Sequence, residues 1–178
     1  MNRKKRGRLV AGAAALGLLI TPLVTLPAGA TPAGDNVVIN EVSPGAKFVE
    51  LYNPTDQDIA LTGMYISYYS TAGNPQCGTK GELSGSISAG GYYLIHMAAT
   101  ALDTLPAADA VWGCGSAVGQ NGGFGLSVGA PQDFKGNVDH AALSMIDYVG
   151  LGSHANFETA TATTSGSSAT KSVSRTDG

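Results

Sequence analysis

Two short runs of alternating side chains, separated by a turn, open the polar part of the chain. They are Val-Val-Ile-Asn-Glu-Val (37–42) and Phe-Val-Glu-Leu-Tyr-Asn (48–53), with Ser-Pro-Gly-Ala-Lys between them. Runs this short, rich in β-branched and aromatic residues and bounded by Pro and Gly, predict a pair of strands. Because strand side chains alternate, Val49 and Leu51 lie on one side of the second strand. That apolar side is predicted to be buried, and the other side carries Phe48, Glu50 and Tyr52.

The rest of the chain continues in the same style, with short apolar runs divided by Gly, Pro, Asp and Asn. Long helical periodicity is absent after the first thirty residues, so the sequence predicts one all-β domain. A glycine-rich turn is predicted over 119–123. Further strands are predicted over 58–62, 64–70, 83–88, 92–97, 111–114, 124–128, 144–151 and 171–176.

Residues 1–30 have the three regions of an export signal. An apolar run over 9–20 follows a basic start, and the small residues Ala28 and Ala30 precede a predicted cut before Thr31. A membrane anchor is the competing interpretation, but a spanning helix needs about 20 apolar residues without proline breaks. We therefore expect a secreted, extracellular product with no membrane span, in which 31–36 is a short leader and 37–178 is the domain. The basic start consists of Arg3, Lys4, Lys5, Arg6 and Arg8.

Removal of that segment makes the chain strongly acidic. The full sequence has 10 Lys plus Arg and 13 Asp plus Glu. Five of the basic residues and none of the acidic ones leave with the signal, so the net charge becomes (10 − 5) − 13 = −8. The remaining cations are scattered along the sequence, and nucleic-acid binding depends on clustered cations that neutralise phosphates. Direct nucleic-acid binding is therefore not expected.

Two cysteines, Cys77 and Cys114, follow the predicted signal. An even number of cysteines in an exported chain predicts a disulfide, here with a single possible pairing. The alternative is a metal site, but the sequence has no Cys-x-x-Cys or His-x-x-x-His spacing to supply the ligands.

Several acidic residues are candidates for a functional site. Glu41 and Glu50 could face each other across the first strand pair, as the paired carboxylates of glycoside hydrolases do; the alternative is a structural role as hydrogen-bond acceptors, which we favour. We expect no catalytic, cofactor-binding or metal-binding residue, with calcium as a weak possibility because hard cations draw oxygen ligands from separate loops. The residues considered for such a cation are Asp133, Asp139, His140 and Asp147.

Tyrosines on strands are the remaining candidates for a binding surface. A tyrosine offers apolar area and a polar tip, which suits contact with a protein or a carbohydrate. Tyrosine also packs well in half-buried sheets, and the sequence favours packing while leaving contact open. The residues concerned are Tyr65, Tyr68, Tyr69, Tyr92 and Tyr93.

Four segments occur in an order that resembles the lamin-tail domain family: VVINEV, FVELYNPTDQDIALTG, SISAGGYYLI and MIDYVGLG. The resemblance covers nearly all of residues 35–178 and implies an immunoglobulin-like β-sandwich. Met64 stands where similar proteins usually carry Trp, which predicts a looser core layer at that point. The positions that match the family motifs are Asn40, Glu41, Glu50, Asn53, Gly63 and Asp147.

The resemblance implies little about activity, because function depends on sites rather than on folds. We expect a secreted, non-catalytic bacterial module for binding or spacing at the cell exterior, with an unknown protein or carbohydrate as its partner. The terminal Ser-Val-Ser-Arg-Thr-Asp-Gly (172–178) is similar to the start of a longer motif. The alternative is therefore an N-terminal accessory module of a truncated secreted nuclease or other hydrolase.

Overall fold

Two sheets, mainly antiparallel, face each other across a single apolar core. The structure is a computed structural model, and it describes residues 35–98, 105–115, 117–133, 144–152 and 172–175. The predicted signal, with Ala28, Ala30 and Thr31, lies outside the described residues. In the described part of the chain, no helix has the length and apolar character needed to cross a bilayer.

The strands are short, as the spacing of turn residues predicts. A 3-10 helix at Gly78–Gly81 lies between β5 and β6. The strands are β1 (Val38–Ser43), β2 (Phe48–Tyr52), β3 (Ile59–Ala60), β4 (Met64–Ser70), β5 (Pro75–Gln76), β6 (Ser86–Ile87), β7 (Tyr92–His96), β8 (Ala110–Val111), β9 (Gly122–Val128), β10 (Met145–Leu151) and β11 (Val173–Ser174).

The first sheet has the strand order β11-β1-β2-β7-β8, and the second has the order β10-β9-β4-β5. Strands β3 and β6 form a separate antiparallel pair. All pairings in the two large sheets are antiparallel except that of β7 with β8. β1 lies against β9 and β10 of the other sheet. This two-layer arrangement is an immunoglobulin-like β-sandwich, which confirms the predicted fold class.

The core lies between the inner faces of the two sheets. Val49 and Leu51 of β2 are fully buried in it, as their alternation predicts. Trp112 lies in the same cluster with its ring in edge contact with Phe124 of β9, at 6.3 Å between ring centroids. Full burial of side chains this large is worth roughly 1.5–3 kcal/mol each, so this layer holds the two sheets together.

The disulfide is present as predicted. Cys77, directly before the 3-10 helix, is joined to Cys114, which follows β8, with 5.7 Å between their Cα atoms. Since β8 belongs to the first sheet and the 3-10 helix contacts β4 of the second, the bond links the two layers at one end of the sandwich.

Several predicted elements were wrong in extent. The strands predicted over 58–62, 83–88 and 171–176 are reduced to Ile59–Ala60, Ser86–Ile87 and Val173–Ser174, and the one predicted over 111–114 lies at Ala110–Val111. The predicted turn over 119–123 ends earlier, because Gly122 and Gly123 are the first residues of β9. A Cβ on either glycine would collide with the ring of a tyrosine on a neighbouring strand. Glycine at these two positions leaves space for a tyrosine ring from the neighbouring strand, and it does not mark a turn.

On the side where β7 pairs with β8 over Ile95 and His96, a side chain extends the contact to Leu94. The Leu94 amide donates to Oδ2 of Asp109 at 2.7 Å, and the Asp109 amide donates back to the Leu94 carbonyl at 2.9 Å. Asp109 is itself exposed. Its carboxylate therefore takes the position that a backbone carbonyl of a paired strand would hold.

Candidate functional site

The outward side of the first sheet is only partly covered, and we call it the open face. The residues of β2 and β7 alternate between core and surface, and the strands pair in register. Outward side chains that are in register therefore lie side by side across the strands, and we call each such set a row. Tyr92 and Val111 are among the most exposed members of the open face, at 59% and 57% of their full accessible areas. The open face consists of Glu41 on β1, Phe48, Glu50 and Tyr52 on β2, Tyr92, Leu94 and His96 on β7, and Val111 on β8.

The middle row of the open face carries two carboxylates. Glu41 is in register with Glu50, which is in register with Leu94 on the other side. A β-bulge between Ile39 and Glu41 brings Glu41 to this position, because the extra residue shifts the alternation of β1 by one. The pairing predicted for Glu41 and Glu50 is thus observed. Two like charges directly opposite each other disfavour the fold by up to about 1 kcal/mol.

One of these carboxylates has a protein donor. Oε1 of Glu50 accepts a hydrogen bond from Nδ2 of Asn40, the bulged residue, at 2.7 Å. Both acidic side chains are half-buried. Among the described residues, no Lys or Arg lies on the open face.

The upper row, at the Tyr52 end of β2, contains the aromatic pair of Tyr52 and Tyr92. The rings of Tyr52 and Tyr92 lie 4.8 Å apart between centroids, with planes tilted by 30°, and such a pair is worth about 0.5–1.5 kcal/mol beyond its buried area. The five tyrosines predicted either to pack or to bind differ in exposure: Tyr68, Tyr69 and Tyr93 are buried, Tyr65 is half-buried and Tyr92 is exposed. Tyr52 was not singled out from the sequence, and only the strand register shows that it adjoins Tyr92.

The second sheet, by contrast, has buried side chains on both faces. Tyr69, Met145 and Tyr148 form a separate buried cluster on its outward side, where Gly123 and Gly125 leave room for their side chains. Burial raises the pKa of both tyrosine hydroxyls far above the ordinary value of 10.0, because the charged phenolate is disfavoured away from water. The described part of this face is therefore filled by packed side chains.

Asp147, a candidate cation ligand on sequence grounds, makes other contacts. Its buried carboxylate accepts the Ile39 amide at 2.6 Å and the Tyr148 amide at 2.9 Å. Nη2 of Arg175 lies 2.8 Å from each of its two oxygens. This ion pair holds the segment of β11 against β1 and β10. Of the other residues considered for a cation, Asp139 and His140 lie outside the described residues.

Among the residues that the structure describes, no three His, Cys, Asp or Glu side chains are grouped as metal ligands would be. Asp133 lies near the hydroxyl of Tyr69 and contributes to the raised pKa of that group. Asp133 and Asp147 thus lie in different surroundings, one near the outward cluster of the second sheet and one at the junction with β11.

A family model named Lamin Tail Domain matches residues 30–149 of the chain. This match spans most of the sequence and includes strands β1 to β9 and most of β10. The chain belongs to the Lamin Tail Domain family. A search of curated proteins found no match.

The motif residues of this lamin tail domain divide into two groups by their contacts. Asn53 is buried, and its Nδ2 lies within hydrogen-bond distance of the Gln57, Ile87 and Ser88 carbonyls, at 2.7, 3.0 and 3.1 Å. Gly63 adopts φ +80° in the turn before β4, a conformation that favours glycine. These two residues, like Asp147, serve the fold.

Asn40, Glu41 and Glu50 form the other group of motif residues in the lamin tail domain. They share the middle row of the open face with Leu94. Met64, in the position of the expected Trp, is half-buried and packs against the core; the looser layer predicted there stays a prediction.

Proposed function

We propose that this lamin tail domain is a secreted, non-catalytic module for binding or spacing at the cell exterior, and that it binds through the open face. The observation that best supports this proposal is the difference between the two outward faces of the sandwich. One is filled by the buried cluster of Tyr69, Met145 and Tyr148. The other presents Tyr92 and Val111 to solvent beside two half-buried carboxylates.

Exposed apolar side chains gathered on one surface and bordered by polar ones are typical of interaction sites. Aromatic residues are the most frequent energetic anchors in such sites. In the open face, the aromatic pair of Tyr52 and Tyr92 supplies the anchor, and Glu41 and Glu50 supply polar groups that select the partner.

Secretion is supported by the composition of residues 1–30 and by the disulfide between Cys77 and Cys114. A structural disulfide persists in oxidising surroundings and is rare in the cytosol. Intact-mass measurement of the protein recovered from culture medium tests this directly. A product that begins at Thr31 and carries one disulfide is expected. A product that retains residues 1–30 would contradict the proposal.

A non-catalytic role is supported by the hydrogen bonds and the ion pair that the candidate carboxylates make within the fold. Asp147 is saturated by two amides and Arg175, and Glu50 accepts the Asn40 amide. Turnover assays of the purified chain with nucleic acid, polysaccharide and peptide substrates should show no reaction above background. Turnover that is abolished by Glu41→Gln or Glu50→Gln would overturn this part of the proposal.

Binding at the exterior is tested by sedimentation with intact cells of the producing organism. The exported chain should sediment with the cells, and the Tyr92→Ala variant should remain in the supernatant. Val128→Ala is the matched control, because Val128 is also exposed, at 55%, but lies on the second sheet. If both variants sediment like the unaltered chain, the open face is not the binding surface.

The alternative predicted from the sequence, an accessory module of a secreted nuclease or other hydrolase, rests on the resemblance of residues 172–178 to a longer motif. The same intact-mass measurement decides it. A mass near ~15 kDa, as expected after ordinary signal removal, favours the free-standing module, and a much larger mass favours the accessory module.

A further inference from the structure

Glu50 occupies the centre of the open face. Phe48 and Tyr52 flank it along β2, and Glu41 and Leu94 flank it across the neighbouring strands. Along a strand these same-side neighbours are about 6–7 Å apart, and across strands about 5 Å apart. A half-buried carboxylate is thus surrounded by two aromatic side chains, one aliphatic side chain and a second carboxylate.

This combination favours an organic cation as the bound group. The carboxylates attract its charge, and an ammonium or guanidinium group close to a tyrosine or phenylalanine ring gains a further cation–π attraction. A bare metal ion is a poorer match, because calcium and magnesium require several oxygen ligands or retained waters. The apolar side chains around Glu50 supply none.

The structure also argues against two other occupants. A second copy of this chain would bring Glu41 and Glu50 against the same two residues, and the net charge of −8 expected after export opposes such an approach. A neutral sugar would leave the carboxylate row without a counter-charge. The rings of Tyr52 and Tyr92 also tilt against each other by 30°, so they do not form one flat platform for a sugar ring.

We propose that the open face binds a cationic polypeptide segment, with a lysine or arginine side chain over Glu50 and Glu41 and neighbouring apolar side chains on Tyr52 and Tyr92. This proposal rests on the proposed function and names the partner class for it. From Phe48 to Tyr52 the face extends about 13 Å along β2, at ~3.3 Å per residue. That length matches four residues of an extended peptide, so lysine and apolar side chains of one segment reach the middle and upper rows together.

The test measures binding of a fluorescently labelled peptide of repeating Lys-Leu-Gly units to the full exported chain, with a Glu-Leu-Gly peptide as the reference. The first peptide should bind and the second should not, and binding should weaken as salt is raised. Glu50→Gln should raise the dissociation constant about tenfold, in the range measured when a close charge pair across an interface is removed. Glutamine retains an oxygen for the Asn40 amide, so the strand pairing should be preserved.

The matched control is Asp56→Asn, which removes the same charge from an exposed turn on the β2–β3 connection. It should change the dissociation constant less than about twofold, because screening weakens charges that lie away from the bound group. Tyr92→Ala should bind several-fold more weakly, whereas Val128→Ala, on the second sheet, should bind like the unaltered chain. Urea unfolding of each variant, followed by the fluorescence of Trp112, verifies that the fold is retained.

Three outcomes would overturn the proposal. Equal weakening by Glu50→Gln and Asp56→Asn would mean diffuse charge attraction without a site. Retardation by insoluble polysaccharides that depends on Tyr92, without peptide binding, would assign the open face to carbohydrate and leave the proposed function standing. Absence of peptide, polysaccharide and cell binding together would overturn the proposed function as well.

Discussion

The ion pair between Asp147 and Arg175 leads to the sharpest stability prediction. Arg175→Met keeps the length of the side chain and removes its charge, leaving the buried Asp147 carboxylate with two backbone donors, the Ile39 and Tyr148 amides. Removing one partner of a buried pair costs about 3–5 kcal/mol. The Arg175 side chain is 31% exposed and that of Asp147 is 4% exposed, so water can replace part of the lost contact. We therefore expect a loss of about 2–3 kcal/mol in the free energy of unfolding.

The assay is urea unfolding followed by the fluorescence of Trp112, the single tryptophan, which is buried in the core. Lys80→Met is the control, since Lys80 is an exposed cation on the 3-10 helix, and it should change stability by less than about 0.5 kcal/mol. Asp147→Asn should also destabilise. The double variant should lose about 1–2 kcal/mol less than the sum of the single losses. Strict additivity, or an Arg175→Met loss no larger than that of Lys80→Met, would refute the assignment of Arg175 as the partner that holds β11.

Three further predictions concern the core and its covalent link. Replacing both Cys77 and Cys114 by Ala should lower the free energy of unfolding by about 4 kcal/mol for a sequence separation of 37, and an unchanged urea midpoint would contradict this. The pKa values of Tyr69 and Tyr148 are raised in the folded state. Their contribution to the free energy of unfolding is therefore complete below pH ~10 and falls above it by up to about 1.4 kcal/mol per pH unit for each. Tyr148→Phe should make the urea midpoint fall less steeply as the pH rises from 9 to 11, and an unchanged slope would refute the burial effect. Gly123→Ala should cost about 1–3 kcal/mol by crowding the Tyr148 ring, and less in a Tyr148→Ala background; an equal cost in both backgrounds would show that another contact is responsible.

Local pattern was sufficient to predict much of the sandwich. β4 begins at Met64 and ends at Ser70 as predicted, because its side chains are β-prone and glycine precedes it. The buried side of β2 followed from alternation at Val49 and Leu51. The start of β9 could not be predicted in this way, because Gly122 and Gly123 are explained by tyrosines on β4 and β10 that are distant in sequence.

The candidate site was predictable in its parts but not in its arrangement. The opposition of Glu41 and Glu50 was anticipated from the hairpin, although it depends on the bulge at Asn40, which the sequence does not reveal. The neighbourhood of Tyr52 and Tyr92 depends on the register of β2 with β7, across forty positions of chain. The partnership of Asp147 with Arg175 likewise connects two strands of different sheets, and no local spacing encodes it.

The reciprocal bonds between Asp109 and Leu94 affect how this chain meets its neighbours in solution. Beyond the two residues paired with β8, the backbone of β7 lies at a sheet edge, and such an edge is a template on which strands of other molecules can add. Here an incoming strand would have to displace the exposed Asp109 carboxylate from the Leu94 amide. The Asp109 carboxylate therefore disfavours strand addition at Leu94, because it already occupies the amide that an added strand would bond.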